Sequence, residues 1–234
     1  MRIPTGVPGF DELVDGGFPA GRLYVLSGPP GSGKTTFSAH FVRQGALDDE
    51  KCLYLTMHET KSELVEAMAG FDFEFDQAVS TGRIKFLNVL SERSEDLLST
   101  GSGGSFRSGV QSMTTRLVSF VEKHSIDRLV VDSKMMLRYF YDDEEDAFLQ
   151  FVSALKRVDA TSLLISEMTD PTSYSDEHYL AYGVIFLHNY LDGESMRRGI
   201  QTLKMRGTNI DSDIREIEFT GRGLTVRPGR KVEA

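Results

Sequence analysis

The sequence predicts an α/β protein, with a mainly parallel twisted sheet, helices on both faces and an antiparallel C-terminal extension. Three observations predict it. Apolar, β-rich runs alternate with helix-spaced stretches through most of the chain, which calls for crossover connections and so for parallel strands. One strand–loop–helix junction is rich in glycine and carries Lys34 and Thr35 at its end. The C-terminal part then alternates apolar and polar residues, as antiparallel strands do.

Each element follows from its local pattern. Gly6 to Gly21 is glycine-rich, with a short helical piece at Phe10–Val14, and leads into the first core strand at Arg22–Ser27. Thr36–Gln44 has helical spacing and turns Phe37 and Phe41 inward. Lys51–Thr56 reads as a second strand, and Lys61–Ala69 as a helix with Leu64, Val65 and Met68 on one face. Arg83–Val89 is a third strand. Residues 91–109 contain the polar run Leu98–Ser105 and read as a mobile surface loop. A helix over Val110–His124 buries Leu117, Phe120 and Val121, ahead of a fourth strand at Arg128–Ser133. Glu144–Val158 is helical and Ser162–Glu167 is a fifth strand. Gly183–Tyr190, Met196–Met205 and Ile214–Val226 complete the chain as antiparallel segments. At 234 residues, a single domain over 1–234 is expected.

Composition narrows the function. Hydrophobic residues at 40% allow a sizeable core, and a net charge of -9 argues against a general polyanion binder. The one cysteine, Cys52, excludes an intrachain disulfide and reads as a small core residue. The N-terminus has no apolar targeting run, and no segment approaches the roughly 18 apolar residues of a membrane helix. A cytoplasmic protein with no membrane association is expected.

The run Gly28-Pro29-Pro30-Gly31-Ser32-Gly33-Lys34-Thr35-Thr36 supplies the parts of a nucleotide phosphate site. Its glycines let backbone N–H groups surround phosphate oxygens. Lys34 can reach the β- and γ-phosphates, and the Thr35 hydroxyl can ligate Mg²⁺. The helix beginning here points its positive end at the anion. The apolar strand ending at Asp132 supplies a second Mg²⁺ group. Glu59, directly after the second strand, is the local candidate to orient or deprotonate water, since that strand is expected beside the phosphate loop. Glu167 ends another strand, where sensing of a γ-phosphate and a plain surface role stand about equal.

With these residues placed, the chain resembles the KaiC-like branch of RecA-type P-loop ATPases. Ile3-Pro4-Thr5-Gly6-Val7-Pro8-Gly9-Phe10-Asp11-Glu12-Leu13 matches the N-terminal segment of that branch. Ser27 to Thr36, Val130-Val131-Asp132-Ser133 and Leu203-Lys204-Met205-Arg206-Gly207-Thr208 match further motifs. The resemblance implies ATP as ligand with Mg²⁺, hexameric rings, and nucleotide held between neighbours. It also implies that Lys204 and Arg206 reach the neighbouring subunit's nucleotide as arginine-finger-like cations. Thr208 falls where the family touches the nucleotide's sugar or base. One departure bears on catalysis. The family carries two adjacent glutamates after the second strand, and the first is assigned as base; here the pair is His58-Glu59. An imidazole can accept a proton but is not equivalent to a carboxylate beside Mg²⁺-ATP. Slow hydrolysis of ATP to ADP and phosphate is therefore expected. The hydroxyl pair that some family members phosphorylate is replaced by His178 and Tyr179, so that chemistry does not transfer.

The leading expectation is an oligomeric ATP-dependent switch that an unidentified protein partner reads. A DNA recombination or repair accessory is the alternative. Lys134, Arg138, Tyr139, Phe140 and Tyr141 suit base stacking, but Asp142-Asp143-Glu144-Glu145-Asp146 follows at once and repels phosphates. A non-hydrolysing structural subunit is the third possibility, favoured by His58.

Overall fold

The computed structural model describes residues 1–56, 59–88, 110–133 and 145–232. His58, the loop expected at 91–109 and the cationic–aromatic and acidic stretch 134–144 lie outside the described residues. Among the described residues, nine strands form one sheet: β3 (Leu23–Gly28), β4 (Cys52–Thr56), β5 (Ile84–Asn88), β6 (Arg128–Asp132), β7 (Thr161–Glu167), β8 (Gly183–Asp192), β9 (Ser195–Met205), β10 (Arg215–Thr220) and β11 (Gly223–Lys231). Their spatial order is β11-β10-β9-β8-β3-β7-β6-β4-β5. Pairs from β8 to β5 are parallel, and those from β8 to β11 antiparallel. A separate two-stranded sheet, β1 (Arg2–Ile3) with β2 (Phe18–Pro19), holds the N-terminal segment, and Asp11–Val14 forms a short 3-10 turn.

The helices are α1 (Lys34–Leu47), α2 (Lys61–Met68), α3 (Phe75–Ser80), α4 (Val110–His124), α5 (Glu145–Leu155) and α6 (Asp176–Leu180). Because strand side chains alternate faces, the sheet feeds two cores. Tyr24, Leu26, Cys52, Tyr54 and Val130 join Phe37 and Phe41 of α1 and Leu64 and Met68 of α2. Leu23, Val25, Leu53, Leu55, Leu129 and Val131 join Leu117, Phe120 and Val121 of α4 and Phe151 and Leu155 of α5. Burial on both faces explains why these strands read as continuous apolar runs.

Three expectations need correction. The strand 52–56 does not lie beside the phosphate-loop strand: β7 and β6 stand between β3 and β4. Ile214–Val226 is not one segment but a hairpin, β10 and β11, turning at Gly221–Arg222. The helix expected to run to Val158 ends at Leu155.

Arg128 ties the layers together from a position with no exposed surface. Its guanidinium donates to Glu50, to Asp48 (3.2 Å), and to the carbonyls of Pro4 (2.8 Å) and Phe41 (3.0 Å), and it lies over the Phe41 ring. Removing it strands buried acceptors. Arg128→Ala is expected to cost about 3–5 kcal/mol by denaturant unfolding. Arg83→Ala, which breaks the exposed pair with Asp49, is expected to cost no more than about 1 kcal/mol.

His40 on α1 is buried and stacks on Phe73, with ring centroids 4.3 Å apart. Burial first, then the Arg43 guanidinium, pushes its pKa from 6.5 down to about 4. The unfolded chain therefore takes up a proton below pH 6.5 that the native state refuses. Stability present above 6.5 falls as the pH drops toward 4, by an order of magnitude of ~3 kcal/mol. His40→Gln should flatten this part of the stability–pH curve, measured against the unaltered protein by denaturant unfolding from pH 4 to 7.

Candidate nucleotide site

The phosphate loop leaves the C-terminal end of β3, the strand at which the sheet order changes direction, where ligands of open α/β sheets bind. Gly28 (φ 152°), Gly31 (φ 74°) and Gly33 (φ 105°) occupy backbone conformations that L side chains rarely adopt. A Cβ on Gly28 would stand 2.5 Å from the Leu187 carbonyl oxygen, and one on Gly33 would stand 2.8 Å from the Phe219 ring. Pro29, Gly33, Lys34 and Thr35 are half-buried, Pro30 and Gly31 exposed, and Ser32 and Thr36 buried. The helix begins at Lys34, and the first N–H to bond back in it is that of Phe37, to Gly33 (2.9 Å). The amides of Lys34, Thr35 and Thr36 thus head the helix as donors.

Lys34 folds over the loop and donates to the carbonyls of Gly28 (2.8 Å) and Pro29 (2.9 Å). Burial lowers its pKa, while Glu167 and Asp132 act to raise it. Both carboxylates are therefore within electrostatic reach of the ammonium. Register explains Glu167, which pairs with Gly28 across β7 and β3. Asp132 ends β6 opposite Thr56 and accepts a 2.8 Å hydrogen bond from the Tyr54 hydroxyl. That phenol is wholly buried, and burial first, then Asp132, push its pKa well above the ordinary value, so it remains a donor. Glu59 is half-buried beyond β4, with its amide on Thr56 Oγ1 (3.4 Å) and its carbonyl on Asn88 (3.3 Å). It thus sits on the Asp132 side of the sheet rather than next to the loop.

The donor set suits a phosphate group with a divalent cation: amides and an ammonium for anionic oxygens, a hydroxyl and a carboxylate for the metal. Two buried hydroxyls, Ser32 Oγ and Ser133 Oγ, have no hydrogen-bond partner among the described residues. Both border the loop or Asp132, where a polar ligand would satisfy them.

Lys204 and Arg206 lie elsewhere. Lys204 pairs with Val184, which pairs with Val25, three residues before Gly28, or about 10 Å along a strand. The Lys204 ammonium donates to the carbonyls of His178 (2.9 Å) and Tyr179 (3.0 Å), and Arg206 donates to Tyr179 (3.3 Å). Burial, then Arg206 and Lys156, lower the Lys204 pKa. Thr208 is farther still from the loop, accepting from Arg2 (3.1 Å). The structure brings Lys34, Asp132 and Glu167 together and leaves Lys204, Arg206 and Thr208 apart.

Sequence reasoning missed several neighbours of the loop. Asn189 donates to Pro30 (3.3 Å), and Arg198 donates to Gly31 (3.4 Å) while lying over the Phe219 ring. Behind the loop, Ser175 N–H donates to His178 Nδ1 (3.0 Å), which places the ring proton on Nε2, 2.9 Å from Ser27 Oγ. Ser166 and Ser175 both donate to the buried Glu177 carboxylate (2.9 and 2.8 Å). For Ser27, Ser166, Asn189 and Arg198 the signal was a polar residue within a strand pattern, and Ser175, Glu177 and His178 gave none.

Phosphate loop, acid-ended strand and mainly parallel sheet define a RecA-type P-loop ATPase fold. A family model described as "ATPase: KaiC" matches residues 3–231. The chain belongs to the KaiC family of ATPases. It is 29% identical over 216 residues to the circadian clock oscillator protein KaiC of Prochlorococcus marinus (strain MIT 9313), covering 89% of this chain and 42% of that protein. It is 27% identical over 235 residues to the protein of that name from Synechococcus elongatus, covering 97% and 44%. The chain thus spans less than half the length of these relatives. Among solved structures, a KaiC-like protein from the hyperthermophilic archaeon Pyrococcus horikoshii OT3 superposes with a TM-score of 0.81 at 27% identity, over 97% of this chain and 99% of that one. Among the described residues, no helix is long and apolar enough to cross a membrane.

Proposed function

We propose that this chain binds ATP with Mg²⁺ and hydrolyses it slowly. We propose further that it works as one subunit of a homo-oligomeric ring, a hexamer by family analogy, whose geometry a protein partner reads. The observation that carries the nucleotide reading is the convergence of Lys34, Asp132 and Glu167 over a cradle built by three positive-φ glycines. Amides from Gly31 to Thr36 would hold the phosphates, and Lys34 would exchange the carbonyls of Gly28 and Pro29 for phosphate oxygens. Thr35 and Asp132 would hold Mg²⁺, which when bound neutralises charge developing on the phosphates. Glu59 would orient water, with His58 in the position the family gives to its catalytic glutamate. Replacing that carboxylate by an imidazole supports slow turnover.

The separation of Lys204 and Arg206 from their own loop supports the ring. Lys204, on β9, is about 10 Å short of the Gly28 level by strand rise, and Arg206 follows just past the end of that strand. Cations so placed serve a nucleotide only if it belongs to a neighbouring copy. Thr208, at the same end of the sheet, would follow them.

Calorimetric titration with ATP and MgCl₂ should show saturable binding, weakened about 10–100-fold in Lys34→Ala by loss of charge-assisted contacts. No binding by the unaltered chain would overturn the nucleotide reading. Light scattering should show the mass rising to a hexamer with ATP and Mg²⁺, and a monomer in both conditions would overturn the ring.

A further inference from the structure

Tyr54 is a polar side chain in an apolar place. It lies in the middle of β4, has no exposed surface, and packs in the core beneath α1 with Cys52, Phe41 and Val130. A phenylalanine would fill the same space. A hydroxyl taken out of water without a partner costs free energy, so this one calls for an account of what it binds.

Register supplies the geometry. Tyr54 pairs with Val130 on β6, and Thr56 pairs with Asp132. Asp132 is two residues beyond Val130 and so shares its face of the sheet. It is therefore the diagonal neighbour of Tyr54, within reach of a long aromatic side chain. The hydroxyl stands 2.8 Å from Asp132 Oδ2. Ser38, one turn beyond Lys34 on α1, also touches the phenol. Its own proton goes to the Lys34 carbonyl (2.9 Å). A carboxylate only accepts, so the phenolic proton is committed to Asp132. The Tyr54 hydroxyl thereby ties the middle of β4 to the end of β6, which carries Asp132.

Building on the proposed nucleotide site, we infer that Tyr54 is a positioning residue for the divalent cation, fixing the Asp132 carboxylate in the orientation that completes the pair with Thr35. It touches neither nucleotide nor metal. A carboxylate has about four lone-pair directions, and the phenol takes one of them. Groups that orient a metal-holding carboxylate in this way commonly change metal affinity 10–100-fold when removed. The motif pattern carries no sign of this residue, because it resides two positions inside a neighbouring strand.

The test separates metal from nucleotide. The affinity of a fluorescent ATP analogue is measured with excess EDTA and across a MgCl₂ titration, for the unaltered chain, Tyr54→Phe, Asp132→Asn and the double variant. Tyr54→Phe should raise the Mg²⁺ concentration giving half of the affinity gain by about 10-fold, with the metal-free affinity the same as in the unaltered chain. In the Asp132→Asn background the same change should add little, since the two residues act as a unit. A Mg²⁺ midpoint unaltered by Tyr54→Phe would overturn the inference, as would an equal shift with and without Asp132 or a matching loss of metal-free affinity. Failure of the unaltered chain to bind the analogue would instead overturn the nucleotide site itself.

Discussion

The whole arrangement rests on a backbone constraint at one strand end. β3 is buried along its full length, with Leu23 and Val25 in one core and Tyr24 and Leu26 in the other. The chain must then leave this rigid strand and turn at once into α1. Gly28, Gly31 and Gly33 make the turn in conformations denied to other residues, with the Leu187 carbonyl and the Phe219 ring pressed against two of them. The consequence is chemical. The amides at the head of α1 are presented at the end of this turn, with positions set by the packed sheet rather than by a ligand.

Around that turn, the sheet separates two sets of charged groups. Lys34, Asp132 and Glu167 cluster at the C-terminal ends of the parallel strands. Lys204 and Arg206 are anchored lower, on the carbonyls of His178 and Tyr179. The two sets are nevertheless bridged through α6: His178 Nε2–H donates to Ser27, the residue before Gly28. In the proposed ring, each copy would hold one nucleotide at its loop and offer cations to another. In that arrangement the α6 segment would link the two duties.

Much of this was legible because it is local. Phe37 and Phe41 showed the inner face of α1, apolar runs gave the strands, and the closely spaced glycines marked the turn between β3 and α1. What was not legible depends on strand order. The distance between Glu59 and the loop follows from β7 and β6 inserting between β3 and β4, which the apolar strands themselves do not encode. The β10–β11 hairpin is a different case: Gly221-Arg222-Gly223 is a turn signal, passed over because the apolar residues on either side continue the strand pattern. Tyr54, Asn189 and Arg198 entered the site only through pairing registers. Arg128 could be read as a strand-starting cation, but not as the buried tie between Glu50, Asp48, Pro4 and Phe41.

The central claim is that the amides of the glycine turn and the first turn of α1 grip a polyphosphate. Hydrogen–deuterium exchange, read at single-amide resolution with and without ATP and MgCl₂, tests it most directly. The account predicts slowing of about 10-fold or more at amides from Gly31 to Thr36, with inorganic phosphate giving a weaker effect at the same amides. Unchanged exchange there under saturating nucleotide, with protection confined to other parts of the chain, would contradict it.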